Sequence, residues 1–163
     1  MKTLLLMRHA KSSWKQTNLQ DFDRPLAKRG RKDIPHMTEL LVKAELIPEK
    51  ILVSPALRAE LTAEMLASQI NRLNQVETIY DFYMAEPETY LAALKDLPDE
   101  LERVMIIGHN PGLEGLLQIL SGQVETLPTA AIAYLSLPVK KWSELEAKSE
   151  CSLNELWRPK DLK

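Results

Sequence analysis

Two arginines and two histidines in this chain could together do chemistry on a phosphate group. Arg8 and His9 stand side by side in the stretch LMRHAKSSW, Arg58 closes the stretch SPALR, and His109 lies in GHNPG. An imidazole can act as a nucleophile and take up a phosphoryl group covalently. A protonated second histidine and two forked guanidinium groups would stabilise the charge on the phosphoryl oxygens. These four residues therefore predict a pocket that binds anions. Free phosphate or sulfate should bind there and inhibit any reaction at the pocket.

The elements that must position these residues follow from the apolar pattern. Short β-type runs alternate with longer helical patterns, which is typical of a parallel sheet covered by helices. We expect strands at 3–7, 51–53, 76–80, 104–107 and 132–137, and helices at 56–70, 88–97, about 113–120 and between 24 and 44. Pro35 lacks an amide donor, so the last of these helices should break near 33–35. The sequence predicts an α/β fold with three α/β/α layers, in which a mostly parallel central sheet is flanked by helices on both faces.

The candidate residues fall where such a sheet binds its ligands. In an open parallel sheet the ligand lies beyond the carboxyl ends of the strands. Arg8 and His9 follow the first predicted strand, and the stretches SPALR and GHNPG follow the second and the fourth. Ser54 and Asn110 are good N-cap residues and each precedes a proline, so we expect a helix to begin at each. Helix N termini would add positive charge at the same edge.

Composition narrows the class of protein. The 163 residues, 45% of them hydrophobic, suit a single domain spanning residues 1–163. A formal net charge of −2 offers no general attraction to nucleic acid or to an anionic membrane. No apolar run approaches a signal core or a membrane span. The single cysteine, Cys151, cannot form an intrachain disulfide, so we expect a cytoplasmic protein. The tail from Lys140 is polar, with Leu153, Leu156 and Trp157 as expected anchors.

Metal and thiol chemistry fit the motifs poorly. The pocket motifs bring no carboxylate or thiolate to the two histidines, and the arginines would repel a divalent cation, so we expect no metal and no other cofactor. Cys151 lies seven residues before Arg158, which does not match the Cys-x5-Arg loop of cysteine phosphatases. His36, beside Pro35 in a helical stretch, has no evident partners and is expected at the surface.

The stretches LMRHAKSSW, SPALRAELTAEML and VMIIGHNPGLEGLL, in that order, resemble the histidine phosphatase (phosphoglycerate mutase-like) superfamily, and in particular its small SixA-type phosphohistidine phosphatases. The resemblance runs from Met1 to about Leu137. It implies that His9 is the nucleophile, that Arg8 and Arg58 bind phosphate, and that His109 hydrogen-bonds the phosphoryl group. It also implies that Arg24, in the stretch DRPL, contacts the phosphoryl group or the substrate.

Departures from the family pattern bear on the substrate. Ala10 stands where many members have glycine, and Asn110 stands where the acid phosphatase branch has an aspartate that protonates the leaving group. Glu86 is a candidate acid, although a helix-capping or solvated role is the alternative. A missing acid suits a phosphohistidine substrate, whose P–N bond breaks readily. The resemblance thus implies a metal-independent phosphatase acting through His9 on a phosphohistidine protein, with monomer as the favoured state. A phosphatase for small phosphate esters and a non-catalytic module that binds a phosphorylated partner remain alternatives.

Overall fold

The structure, a computed structural model, describes residues 1–147 and 150–162, and within these residues the chain forms one six-stranded sheet. Its strands are β1 (Lys2–Arg8), β2 (Lys50–Val53), β3 (Val76–Thr78), β4 (Arg103–Gly108), β5 (Ile132–Leu137) and β6 (Ser152–Trp157). The order across the sheet is β3-β2-β4-β1-β5-β6. Strands β1 to β4 are parallel to one another, whereas β5 is antiparallel to both of its neighbours.

Four α-helices in the described residues cover both faces of this sheet. They are α1 (Lys28–Lys43), α2 (Leu57–Gln69), α3 (Pro87–Lys95) and α4 (Gly112–Ser121). Alternate side chains of β1 point to opposite faces, as a pleated strand requires. Leu5 and Met7 pack with buried residues of α1 and α2, whereas Leu4 and Leu6 pack with those of α3 and α4. The predicted three-layer α/β architecture with a mostly parallel sheet is therefore confirmed.

The expected break at Pro35 is wrong, because α1 runs without interruption from Lys28 to Lys43. Proline in a helix interior costs about 3 kcal/mol. Ile34, Met37 and Leu41 are all fully buried on the sheet-facing side of this helix. Burying each such side chain contributes roughly 1.5 to 3 kcal/mol, so packing on the sheet outweighs the lost hydrogen bond.

The polar tail contains a strand that the sequence pattern did not predict. Strand β6 pairs with β5 at the edge of the sheet, and the Trp157 ring stacks on Tyr134 with centroids 6.2 Å apart. Leu153, Leu156 and Trp157 pack against the core as expected. Lys148, Ser149 and Lys163, which belong to the tail predicted to be polar, lie outside the described residues. Within the described residues, no helix is long and apolar enough to cross a lipid bilayer.

Candidate active site

The ends of three neighbouring parallel strands bring Arg8, His9, Arg58 and His109 together. Arg8 ends β1 and pairs in register with Gly108 at the end of β4, so His9 and His109 lie next to each other beyond the sheet. Their ring centroids are 5.1 Å apart. Arg58 is the second residue of α2, which follows β2 on the other side of β4, and its Nε lies 3.4 Å from His9 Nε2. This juxtaposition is what the strand-end rule predicts.

The His9 ring is held so that one particular nitrogen is available for reaction. Its Nδ1 lies 2.8 Å from the Ala10 carbonyl oxygen, and a carbonyl can only accept, so Nδ1 carries the proton and donates. Nε2 accepts from Arg58 Nε and therefore has its lone pair on the pocket side. The Ala10 amide in turn donates to Thr62 Oγ1 over 3.0 Å, which fixes this segment to α2. The unprotonated nitrogen of the His9 ring is therefore Nε2, which lies beside Arg58.

Both histidines are held neutral by their surroundings. Burial, together with the neighbouring His109, Arg58 and Arg8, lowers the pKa of His9 to about 3 against the opposing effect of the Ala10 hydrogen bond. Burial, with the charges of Arg58 and Arg8, lowers the pKa of His109 to about 4, while Asp21 works to raise it. A neutral His9 keeps the Nε2 lone pair that a nucleophile needs.

His109 is oriented by its main chain and by one hydroxyl group. Its amide donates to the Tyr90 hydroxyl over 3.1 Å, and a Cβ at the preceding Gly108 would collide with that same hydroxyl. His109 Nε2 lies 2.7 Å from Ser54 Oγ. Among the described residues, Nδ1 of the ring is buried without a hydrogen-bond partner. Nδ1 is therefore the His109 ring nitrogen that no described protein group engages.

Ser54 and Asn110 do not cap helices as predicted. Helix α2 begins at Leu57 with Ala56 as its N-cap, and α4 begins at Gly112 with Pro111 as its N-cap. The Ser54 hydroxyl accepts from the Ala56 amide over 3.2 Å while it contacts His109. Each side chain thus has a positioning role close to the pocket, and the observed N-cap lies two residues later than predicted for α2 and one residue later for α4.

Asn110 connects the end of β4 to the loop that reaches Arg8. Its Nδ2 donates to the Leu127 carbonyl oxygen over 2.8 Å and to Glu114 over 3.0 Å. The same Leu127 oxygen accepts from Arg8 Nη1 over 3.2 Å. Arg8 Nε is buried and has no hydrogen-bond partner within the described residues. The asparagine in the position of the acid phosphatase aspartate therefore supports this loop by donating hydrogen bonds.

Asp21 is a pocket residue that the sequence did not point out. Its carboxylate accepts from Arg58 Nη2 at 3.1 Å, from Arg24 Nη2 at 3.1 Å and from the Tyr83 hydroxyl at 2.7 Å. Partial burial works to raise the Asp21 pKa, but the Tyr83 hydrogen bond and the Arg58 charge outweigh it and hold the pKa at about 2. The Tyr83 ring also packs edge-on against His109, with centroids 5.8 Å apart. Asp21 therefore ties together two arginines from different segments.

Arg24 belongs to the same cluster, one step further from the histidines. It is buried, its Nη1 donates to Ser12 Oγ over 2.7 Å, and its guanidinium carbon lies 3.5 Å from the Trp14 ring centroid. It reaches Arg58 through the shared Asp21 carboxylate. Glu86, by contrast, is exposed at the N-cap of α3, and no hydrogen bond joins it to the pocket within the described residues.

Other chemistries find little support at this site. Across residues 1–147 and 150–162, no three or more histidine, cysteine or acidic side chains gather in a way that could hold a metal ion. Cys151 is buried, and burial raises the pKa of its thiol to about 11, which keeps it protonated and unreactive. His36 is exposed on α1, outside the pocket.

The two neutral histidines predict an acid-sensitive fold. Between pH 6.5 and pH 5 the unfolded chain would protonate both imidazoles, whereas the folded chain, with pKa values of about 3 and 4, would not. The unfolded state then binds more protons, so the free energy of unfolding falls as the pH falls through this window. We expect a loss on the order of 3 kcal/mol between pH 6.5 and pH 5, measured by urea unfolding.

A double variant with His9→Asn and His109→Asn provides the control for this pH effect. Ordinary carboxyl groups titrate mainly below this window, and the third histidine, His36, is exposed and unchanged in both proteins. The variant should therefore show a clearly flatter pH dependence. The same slope in both proteins would mean that the pocket histidines do not carry the effect.

The structure thus joins a neutral, oriented imidazole, a second histidine and two arginines at the carboxyl edge of an α/β sheet. The sequence profile of the histidine phosphatase superfamily (branch 1) matches residues 4–88, just over half of the chain. An uncharacterised chloroplastic protein of Arabidopsis thaliana is 32% identical over 158 residues, which cover 91% of this chain and 72% of that protein. This chain therefore belongs to the histidine phosphatase superfamily.

Two solved structures place the chain with the small SixA-type members of this superfamily. A protein of Agrobacterium tumefaciens, provisionally named phosphohistidine phosphatase SixA, is 27% identical with a TM-score of 0.83, and the match covers 97% of this chain and 98% of that one. The protein histidine phosphatase SixA complexed with tungstate is 26% identical with a TM-score of 0.84, covering 99% of each chain. Superfamily membership together with this similarity supports phosphatase activity.

Proposed function

We propose that this protein removes phosphoryl groups from phosphohistidine in a partner protein, through a covalent phosphohistidine at His9. The observation that carries the proposal is the combination of an unprotonated His9 Nε2 with a pocket carboxylate, Asp21, that has no proton to donate to a leaving group at neutral pH. The Asp21 pKa of about 2 keeps that group ionised at neutral pH. Glu86 is exposed and without a hydrogen bond to either histidine within the described residues. The pocket therefore suits a leaving group that departs without strong acid catalysis.

The first chemical step would transfer the phosphoryl group to His9. Nε2 attacks phosphorus, the P–N bond of the substrate breaks, and the departing imidazole takes a proton from water. Positive charge from Arg8 and Arg58 would stabilise the three phosphoryl oxygens as the bond breaks. Arg58 Nε donates to His9 Nε2, so this hydrogen bond would break as Nε2 bonds to phosphorus and would leave the Arg58 donors beside the phosphoryl oxygens.

His109 would assist as a hydrogen-bond donor even when neutral. Ser54 Oγ already accepts from the Ala56 amide, so its own proton is free to be donated to His109 Nε2. That arrangement puts the His109 proton on Nδ1, the nitrogen without a partner in the described structure. Nδ1–H can then donate to a phosphoryl oxygen. In the second step water attacks the phosphorus on His9, inorganic phosphate leaves, and Nε2 regains its lone pair.

The size of the chain around the pocket supports a protein substrate. Between β3 and β4 the described structure has a single α-helix, α3, together with a short helical turn at Tyr80–Phe82. Such a short connection leaves room for a side chain presented by another protein. The related SixA structure bound to tungstate, a tetrahedral oxyanion like phosphate, comes from a protein named a protein histidine phosphatase.

A comparison of two substrates tests the proposal. The kcat/KM for a phosphorylated histidine phosphotransfer domain should exceed that for p-nitrophenyl phosphate, because both leaving groups are good but only the first has a protein surface to bind. Equal or better turnover of the small ester would contradict the phosphohistidine assignment and favour a small-ester phosphatase. Failure of the wild-type protein to acquire label at His9 from either phosphodonor would favour a binding module.

A further inference from the structure

A wide groove opens beside the pocket on the Arg8 side. This groove has a volume of about 830 Å³ and is lined by Arg8 together with two groups of cations. Arg29 and Lys32 come from α1, whereas Arg158 and Lys160 come from the segment that follows β6. Because Arg8 belongs to both the pocket and the groove, a ligand with its phosphoryl group at His9 could extend across Arg8 into the groove.

The groove concentrates positive charge on a chain whose formal net charge is −2. Arg29 forms an ion pair with Asp33, and Arg158 forms one with Glu125. Lys32 is exposed and forms no ion pair with any residue in the described part of the chain. The groove therefore has cations that its own acidic residues do not neutralise.

Lys160 adds to the positive charge of the groove, and Glu114 does little to offset it. Lys160 is exposed, and within residues 1–147 and 150–162 it too has no ion-pair partner. Glu114, which also lines the groove, is already engaged, since its Oε2 accepts from the Leu127 amide over 2.7 Å and from Asn110 Nδ2 over 3.0 Å. The charge left over for a ligand is positive.

We propose that this groove docks acidic side chains that flank the phosphorylated residue of the partner protein. The inference rests on the proposed function and adds a preference for acidic sequence around the phosphohistidine. The cations stand on two walls of an 830 Å³ groove, which is far more room than one phosphoryl group needs. Exposed lysines on flexible stems act chiefly as point charges that speed and orient encounter. An extended acidic segment fits this spread of charge.

The test uses two phosphohistidine peptides of equal length, with aspartates in one and asparagines in the other at the positions that flank the histidine. The wild-type protein should hydrolyse the acidic peptide with a kcat/KM about three- to tenfold higher, and this preference should shrink as salt is raised. The double variant Lys32→Gln/Lys160→Gln should lose the preference and keep its rate on the neutral peptide. The matched control Lys95→Gln/Lys140→Gln, which changes exposed lysines elsewhere, should keep the preference.

The possible failures can be told apart. If the wild-type protein treats both peptides alike, or if the Lys32/Lys160 variant keeps the preference, the docking groove is wrong while the proposed function stands. An equal loss of rate on both peptides in that variant would likewise overturn docking, because the lysines would then act on the pocket itself. If neither peptide is hydrolysed while p-nitrophenyl phosphate is, the proposed function fails and the docking proposal fails with it.

Discussion

Replacement of His9 by asparagine is expected to lower phosphatase turnover by about 10⁴-fold or more, because it removes the nucleophile through which both chemical steps would pass. Asparagine keeps an N–H that can donate to the Ala10 carbonyl oxygen, as His9 Nδ1 does. The pocket should therefore remain formed. Steady-state hydrolysis of p-nitrophenyl phosphate gives the loss in rate, and titration with tungstate or phosphate shows whether the anion still binds.

The control for this experiment is His36→Asn, which alters an exposed histidine that lines the neighbouring groove but forms no hydrogen bond with the four pocket residues in the described structure. It should leave the rate on p-nitrophenyl phosphate unchanged, because that small ester does not extend into the groove. In a rapid-quench experiment, label from the phosphodonor should appear on the wild-type and His36→Asn proteins and be absent from His9→Asn. Substantial turnover by the His9→Asn protein would show that His9 is not the nucleophile and would reopen the assignment of the whole pocket.

Replacement of Arg58 by glutamine is expected to lower kcat by about 10²- to 10³-fold, because a fixed positive charge at the transferring group is lost. The kcat of Arg58→Lys should lie between those of the wild-type protein and Arg58→Gln, because lysine keeps the charge but loses the forked geometry of the guanidinium group. Arg58 is buried beside His9, and its charge lowers the pKa of both pocket histidines. In the glutamine variant the pKa values of His9 and His109 should therefore rise. The acid limb of the kcat/KM profile should move to higher pH.

Arg31→Gln is the matched control for Arg58, because Arg31 is an exposed arginine on α1 that does not line the pocket. It should leave kcat and the pH profile unchanged. An Arg58→Gln protein that retains kcat within about threefold would contradict the stabilising role, whatever its stability.

The sequence was most informative where the chemistry coincides with strand ends. Arg8, His9, Arg58 and His109 could be placed together because five apolar runs alternating with helical patterns predicted a mostly parallel sheet, and such a sheet binds ligands beyond the carboxyl ends of its strands. Each of these residues follows its strand within a few positions, so small errors in strand boundaries did not matter. The structure brings all four into one pocket.

Residues that reach the pocket from irregular segments could not be predicted in this way. Asp21 begins the short helical turn Asp21–Asp23, and Tyr83 directly follows the turn Tyr80–Phe82. The two side chains meet only because the fold brings these two distant segments together. Nothing in the spacing of the stretch DFDRPL indicates that its first carboxylate would join Arg24 to Arg58. The contact depends on tertiary structure alone.

Local helix rules failed where tertiary contacts compete with them. Ser54 and Asn110 have the side chains of N-caps, yet Ser54 contacts His109 and Asn110 holds the Leu127 loop. The N-cap therefore falls two residues later than predicted for α2 and one residue later for α4. Pro35 should break a helix, yet α1 continues through it because burial on the sheet is worth more than one hydrogen bond. The edge strand β6 was missed because its polar composition resembles that of a solvated tail.

The hydrogen bond from His9 Nδ1 to the Ala10 carbonyl oxygen determines the regiochemistry of any phosphoenzyme that forms. Phosphorus can bond only to Nε2, because Nδ1 is blocked by its proton and by its acceptor. The intermediate would therefore be one positional isomer, with phosphorus on the ring nitrogen farther from the main chain. While phosphorus is attached, Nδ1 still donates to Ala10, so the ring cannot rotate away. When water removes the phosphoryl group, the His9 ring would still lie in the position from which it attacked, ready for the next turnover.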